Sequence, residues 1–224
     1  MARAEDVLVD EHLRDLGARL QGPARLKSEL LTEARHGLLD AVEAYRESGV
    51  PPTEAQRRAV AEFGSPAQLL PSWQAELAVA ALRGLSLRML AVAGVGVAAG
   101  DLTWRGASWS NGPRPPAGYL LLSNSVDWIW MSTLLLSVAG LLVVWASARA
   151  PRPGLALAQR AVGAGLTGLL ALAMLTGCAL FTWSLNLWDA ALHWPPMIIG
   201  GVLVAGGYFS LTRAARGWLR ATAR

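Results

Sequence analysis

Six polar residues keep the most ordered spacing in the chain: Glu29, Glu33, His36, Asp40, Glu43 and Glu47. At 100° per residue they fall within about 40° of one line on a helix, opposite an apolar stripe. One sign of charge along one face speeds and selects encounters with a basic partner, which makes these six the candidate docking residues. The same pattern also describes an ordinary solvated face. Glu33-Ala-Arg-His36 has the Glu-x-x-His spacing of di-iron bundles as well. Such a site needs a second motif of that kind and further buried glutamates, which the sequence lacks. Asp189 and His193 stand four apart and can pair on a helix face, without a nucleophile beside them. GxxxxGK(S/T), GxSxG and HExxH do not occur, and the histidines are His12, His36 and His193. The single cysteine, Cys178, excludes an intrachain disulfide and a cysteine-based metal cluster. The expectation is therefore a protein that is not an enzyme, with no metal and no cofactor.

The second set of candidates is aromatic. Trp104, Trp109, Asp127, Trp128, Trp130, Trp183, Asn186, Trp188, Asp189, His193 and Trp194 mix aromatic faces with carboxylates, an amide and an imidazole. Together they can form an extracytosolic sensing surface for a small amphiphile or cation. Trp rings also favour the headgroup region of a bilayer, so the same residues describe an interfacial belt. Sequence spacing does not separate the two.

Hydropathy dictates the elements that must position these residues. Of 224 residues 53% are apolar and 16% charged, and the mean hydropathy is +0.35, the composition of a membrane protein. Stretches near 84–102, 126–147, 161–183 and 190–212 approach the roughly 20 apolar residues that cross about 30 Å of hydrocarbon. The first is wholly apolar only from Met89 to Gly100 and needs Arg88 to snorkel. Arg149, Arg152 and Arg160 lie between the second and third stretches, and Arg213, Arg216, Arg220 and Arg224 follow the fourth. The loop from Thr182 to Trp194 holds no Lys or Arg, and the one from Asp101 to Ser125 only Arg105 and Arg114. Positive residues gather on the cytoplasmic side, so four spans with both termini in the cytoplasm are expected. On that topology Asp101, Asp127, Asp189 and the tryptophans of the sensing set face outward. No ionisable residue stands near mid-span, which disfavours a coupled transporter. Gly96 and Gly100 at GxxxG spacing, with Gly200, Gly201, Gly206 and Gly207, allow close helix packing.

The formal charge of +4 is uneven, because residues 1 to 83 hold 13 acidic and 10 basic groups and the remainder 3 and 10. The pI near 10.0 thus belongs to the membrane half, and no direct nucleic-acid binding is expected. Met1 to Asp10 carries Glu5, Asp6 and Asp10 without an apolar stretch, so no cleaved signal peptide is expected. Within 1–83 the pattern predicts three to four helices. The first, over about 5–21, carries Val7, Leu13, Leu16 and Leu20, and Gly22-Pro23 ends it. The second spans about 23–48, with Leu30, Ala34, Leu38, Ala41 and Tyr45 on its apolar stripe. Thr53 and Gln56 form a capping-box signature for a third, which Gly64 closes after Ala59, Val60 and Phe63. Ser65-Pro66 with Gln68 opens a fourth that passes Trp73 and Leu77 and continues into the first span. The expected fold class is all-α: a small cytosolic helical domain, 1–83, followed by a four-helix transmembrane bundle, 84–224. About 80 residues bury a modest core, which makes a partner or homo-oligomer an expectation too.

The stretch from Leu13 through Ala80 resembles the permease prefix or HTH-associated α-helical signalling (HAAS) domain of bacterial membrane proteins. The likeness is carried by Glu29-Leu30-Leu31-Thr32-Glu33-Ala34-Arg35, Leu38-Leu39-Asp40-Ala41 and Ala59-Val60-Ala61-Glu62-Phe63-Gly64, followed by Ser65-Pro66. It covers about a third of the chain, and Glu-Phe-Gly-Ser is its most characteristic part. Nineteen Arg against one Lys looks like the coding bias of actinobacteria. The resemblance implies one of two settings. Such domains precede FtsX-like permease modules, or they occur in small membrane proteins encoded beside a PadR-type winged-helix transcription regulator. The length here favours the second, in which the cytosolic helices dock or sequester the regulator in response to a membrane or extracytosolic cue. The alternative is an accessory subunit of an ABC-type permease or export system. Either implies multi-pass residence in the bacterial cytoplasmic membrane.

Overall fold

The computed structural model describes residues 7–104, 115–149, 153–187 and 195–223. They form α1 (Val7–Arg19), α2 (Ala24–Glu47), α3 (Pro52–Phe63), α4 (Pro66–Trp104), α5 (Ala117–Arg149), α6 (Pro153–Leu187) and α7 (Pro195–Thr222). Among the described residues there is no strand, so the expected all-α class holds. Four helices, α4 to α7, are long and apolar enough to cross a membrane, which makes this a multi-pass membrane protein by length and composition. Each expected span lies within one of them apart from 190–194, which fall outside the described residues. The chain divides into two compact units, Met1–Ala81 with Gly217–Arg224, and Leu82–Arg216.

The first unit contains α1 to α3, the start of α4 and the end of α7. Its core joins Val9 and Leu13 of α1 to Ala34, Leu38 and Val42 of α2 and Ala55 and Ala59 of α3. A second cluster gathers Leu16, Leu20 and Leu77, with Leu30, Leu69 and Trp73 against it. Full burial of a leucine such as Leu16, Leu38 or Leu77 stabilises by about 1.5–3 kcal/mol. The stripe on α1 differs from expectation by one position, since Val9 is fully buried and Val7 is 57% exposed. Val9, Leu13, Leu16 and Leu20 recur at four, three and four, the helical repeat of a single face.

Two glycines end helices where the chain must reverse, Gly49 at φ +87° and Gly64 at φ +99°. Gly64 has ψ 157°, a region essentially closed to residues with a Cβ. The capping box expected at Thr53 and Gln56 does not form. Pro52 occupies the first turn of α3, Pro51 precedes it, and no side chain caps the helix. Pro52 removes one orphan N–H and moves Thr53 into the helix. Gln56 is drawn elsewhere, its Oε1 accepting from the Leu8 backbone N–H at 3.4 Å. The expected signal before α4 does form, because Gln68 Oε1 accepts from Ser65 N–H at 2.9 Å and Ser65 Oγ at 3.0 Å.

Gly217–Arg224 returns to this unit rather than trailing the fourth span. Trp218 and Ala221 are both 4% exposed. The Gln74 carboxamide accepts from Gln21 N–H at 3.0 Å and donates Nε2–H to Gln21 O at 2.6 Å and Ala221 O at 2.8 Å. One side chain thus satisfies the turn after α1 and one of the last carbonyls of α7, that of Ala221.

In the second unit α5 and α6 form the most extensive helix pair. Glycines admit neighbours there: a Cβ on Gly140 would lie 2.5 Å from Ser86 Oγ and 3.1 Å from Val162 Cγ1, and one on Gly165 would lie 2.8 Å from Leu136. α4, α5 and α6 therefore meet at Gly140. In the last span only Gly207 seats a neighbour, Val92, whereas Gly200, Gly201 and Gly206 face open space. Hydroxyls turn back on their own helices, with Thr133 donating to Ile129 O at 2.7 Å and Ser184 to Leu180 O at 2.8 Å, which suits an apolar medium.

Two expected outcomes follow from the first unit. Gly64→Ala destabilises it by about 1–3 kcal/mol, and Gly64→Asn gives no relief, because asparagine tolerates the left-handed helical region but not this ψ. Hydrogen exchange of α3 amides in the full chain in detergent should quicken for both variants; unchanged protection would contradict the strain argument. Gln74→Leu removes three hydrogen bonds and leaves buried partners unmet, at a cost of about 2–4 kcal/mol. Residues 217–222 should then lose exchange protection first, while α5 and α6 keep theirs.

Candidate functional site

The acidic face is built by the packing of α2. Ala34, Leu38 and Val42 are buried in the first unit, which turns Glu29, Glu33, His36, Asp40, Glu43 and Glu47 outward, and all six are exposed. Two basic residues of the same helix are engaged off it. Arg35 Nε donates to Asp10 of α1 at 3.1 Å, and Lys27 Nζ donates to Leu20 O at 3.1 Å, where α1 ends. Arg25 pairs with Glu29 at 2.8 Å in a solvent-exposed i,i+4 bridge worth a few tenths of a kcal/mol. Among the described residues Glu33, His36, Asp40, Glu43 and Glu47 enter no ion pair. The face therefore keeps its negative charge for whatever approaches it. No three His, Cys, Asp or Glu side chains among the described residues come together as a metal site, and this holds around Glu33 and His36.

The Glu-Phe-Gly-Ser segment acquires a physical role. The Tyr45 hydroxyl donates to Glu62, linking α2 to α3. Phe63 stands edge-on between His12 at 6.1 Å and Trp73 at 6.2 Å, joining α1, α3 and α4 through ring contacts. Gly64 then turns the chain and Ser65 caps α4. The motif fixes the corner that orients α1 and α4.

His12 was not singled out by the sequence. Its Nε2 is sealed from solvent without a hydrogen-bond partner among the described residues, beside a groove of about 490 Å³ lined by Leu8, Glu11, Asp15, Arg57 and Val60. Burial pushes the imidazole below its ordinary value of 6.5, with the Asp15 carboxylate opposing the shift. No periodicity argument finds such a residue, since a histidine beside an apolar stripe reads as surface.

On the tryptophan side the described residues point different ways. Trp128 is 74% exposed and Asp127 is exposed beside it. Trp130 lies over Gly96, whose Cβ position is 3.4 Å from the indole, so this ring serves helix packing. Trp183 meets Tyr119 edge-on at 6.0 Å and covers Gly118, where a Cβ would come within 2.9 Å. The Tyr119 hydroxyl lies 3.0 Å from Ser184 Oγ. Asn186 donates Nδ2–H to Thr182 O at 3.0 Å on its own helix. An open groove of about 550 Å³ is lined by Cys178, Ala179, Thr182, Trp183 and Asn186, all from one face of α6. A depression with a single helix for its walls is a lipid-facing surface more than an enclosing pocket. Trp109, Trp188, Asp189, His193 and Trp194 lie outside the described residues, as does the side chain of Trp104.

Compared with known proteins, the chain matches no family model, no curated protein and no solved structure.

The His12 geometry sets a pH dependence. A folded pKa below 6.5 means that the unfolded chain binds the proton first, so the contribution to stability is complete above about pH 6.5 and declines as pH falls through the folded value. The thermal midpoint of the first unit in the full chain is expected to fall between pH 7.5 and pH 5. His12→Phe keeps the ring contact to Phe63 and should flatten that part of the profile; an identical profile in the variant would clear His12 of the effect.

Proposed function

We propose that the chain is a multi-pass membrane signalling protein whose first unit docks a basic partner through the acidic face of α2. The observation that carries this reading is the sorting of charge on one helix, acids outward over about five turns, Arg35 bound to α1 and Lys27 to the residue that follows it. A partner that offers a basic surface finds a line of carboxylates with no competing cation between Glu33 and Asp40 other than the engaged Arg35.

The partner class is a DNA-binding regulator of the PadR-type winged-helix kind. A surface evolved to meet phosphates carries Lys and Arg, and occupying it with carboxylates competes with DNA. The resemblance of Leu13 through Ala80 to the HAAS domain favours the same class. Membrane topology is consistent with it. Residues from both ends of the chain belong to the first unit, which an even number of crossings permits. The arginines of the interhelix loop and of α7 favour the cytoplasmic face of a bacterial membrane for that unit. Trp128 and Asp127 then lie toward the outer leaflet, where a cue would arrive.

Charge reversal at three points, Glu33→Lys, Asp40→Lys and Glu43→Lys, is expected to abolish recovery of the regulator when the tagged full-length protein is purified from its native membrane in mild detergent. Exchange protection of α1 to α3 should stay at its wild-type level, since all three side chains are exposed and unpaired in the first unit. Undiminished recovery would remove the acidic face from the mechanism. Recovery of an ATPase and a permease in place of a regulator would transfer the protein to an export system.

A further inference from the structure

We propose that the membrane unit carries two binding sites for anionic phospholipid headgroups, at Trp145–Arg149 on α5 and Phe209–Arg213 on α7. The inference needs only that the four apolar helices cross a bilayer, and it is independent of the docking reading.

In both places an aromatic residue is followed four positions later by an arginine on the same helix. Arg149 lays its guanidinium 3.6 Å from the centre of the Trp145 ring, and Arg213 lies 5.5 Å from that of Phe209. Trp145 is 56% exposed and Phe209 64%, so each ring faces the surroundings of the unit and not its interior. A guanidinium held over a ring by its cationic carbon still has N–H donors to offer, and their fork matches two oxygens of a phosphate. Neither arginine has an acidic partner among the described residues.

Charge distribution selects the ligand. Successive spans alternate in direction, so the ends of α5 and α7 fall on one side, together with Arg83, Arg88 and Arg160. No Asp or Glu stands within 82–100, 140–160 or 205–216. Asp127, the acid of this unit whose side chain is described, belongs to the opposite end of α5. A soluble anion would use the arginines and leave the exposed rings without a function. A phospholipid brings both halves, an anionic phosphodiester for the guanidinium edge and acyl chain for the ring below it. The two rings place the arginines at a fixed depth, where snorkelling alone would leave them loose.

The test uses the full-length protein in detergent micelles doped with phosphatidylglycerol or phosphatidylcholine, with retained lipid counted by native mass spectrometry. Wild type should retain phosphatidylglycerol in preference to phosphatidylcholine. The double variant Arg149→Gln/Arg213→Gln should lose that preference by about tenfold or more. Arg160→Gln/Arg216→Gln removes the same charge from the same end without touching either ring, and should reduce it far less; equal losses in the two variants would reduce the sites to diffuse attraction and overturn the proposal. Trp145→Ala/Phe209→Ala keeps every charge and folds independently of any buried contact, and it should also lose retention. Displacement of the lipid by millimolar inorganic phosphate would show that the acyl chain contributes nothing and would equally overturn it.

Discussion

The first unit depends on one carboxamide. Gln74 is the point at which the turn after α1, the start of α4 and the end of α7 are tied together, and its Nε2 reaches a carbonyl 147 residues away in the chain. A hydrogen bond of this kind contributes only about 1 kcal/mol when made, but each buried group left unmet costs about 1–3. The asymmetry matters here because the C-terminal carbonyls of α7 have no later turn to bond to. Ala221 can be buried because its carbonyl is satisfied there. Removing the carboxamide would leave an apolar surface and an orphan carbonyl facing each other.

Charge is then distributed by what packing leaves free. In the first unit two basic groups of α2 reach toward α1, Arg35 to Asp10 and Lys27 to Leu20 O, and the acids of the outer face of the same helix are left exposed. In the second unit the arrangement is reversed, with arginines gathered at one end and two of them laid on exposed rings. On the proposed readings the two surfaces would meet different surroundings, the carboxylates a basic macromolecule in water and the guanidinium groups a phosphate at a bilayer. Neither arrangement stabilises the fold much, since exposed pairs contribute a few tenths of a kcal/mol.

Much of this was legible in the sequence, and the exceptions have identifiable physical causes. The all-α class, the four apolar helices and the breaks at Gly49 and Gly64 follow from hydropathy and from φ values that only glycine adopts freely. The six exposed residues of α2 were visible because a 3.6-residue period converts spacing into a face. The capping box at Thr53 was misread because a neighbouring Pro51-Pro52 pair decides the helix start more strongly than a Thr-x-x-Gln spacing does. His12 and Gln74 were invisible for a common reason. Each is a polar residue on a helix that otherwise shows a clear apolar stripe, and its partner comes from another element, so no local pattern marks it. The return of α7 did leave a trace: Leu211, Ala214, Ala215, Trp218 and Ala221 keep a helical repeat past Arg213 and Arg216, beyond the point where hydropathy ends the span.

That repeat has a counterpart in α4, and together they say what the shared helices must do. On α4 the buried positions run Leu77, Ala81, Leu82, Leu85, Ser86, Met89 and Ala93, and their mostly three- and four-residue steps turn the buried line gradually around the helix. On α7 the stripe passes in the same way from Ala215 to Trp218. A helix holds its side chains at 100° and about 1.5 Å per residue, so within the first unit the start of α4 and the end of α7 meet in one register. An axial shift of one residue would carry Ala221 O out of the 2.8 Å reach of Gln74, and a rotation of one residue would turn Leu77 from its cluster. The hydrogen bonds of Gln74 are therefore incompatible with any movement of α4 and α7 that alters their relative register. Within the first unit this makes the Gln74 corner the point at which the register of the start of α4 against the end of α7 is fixed.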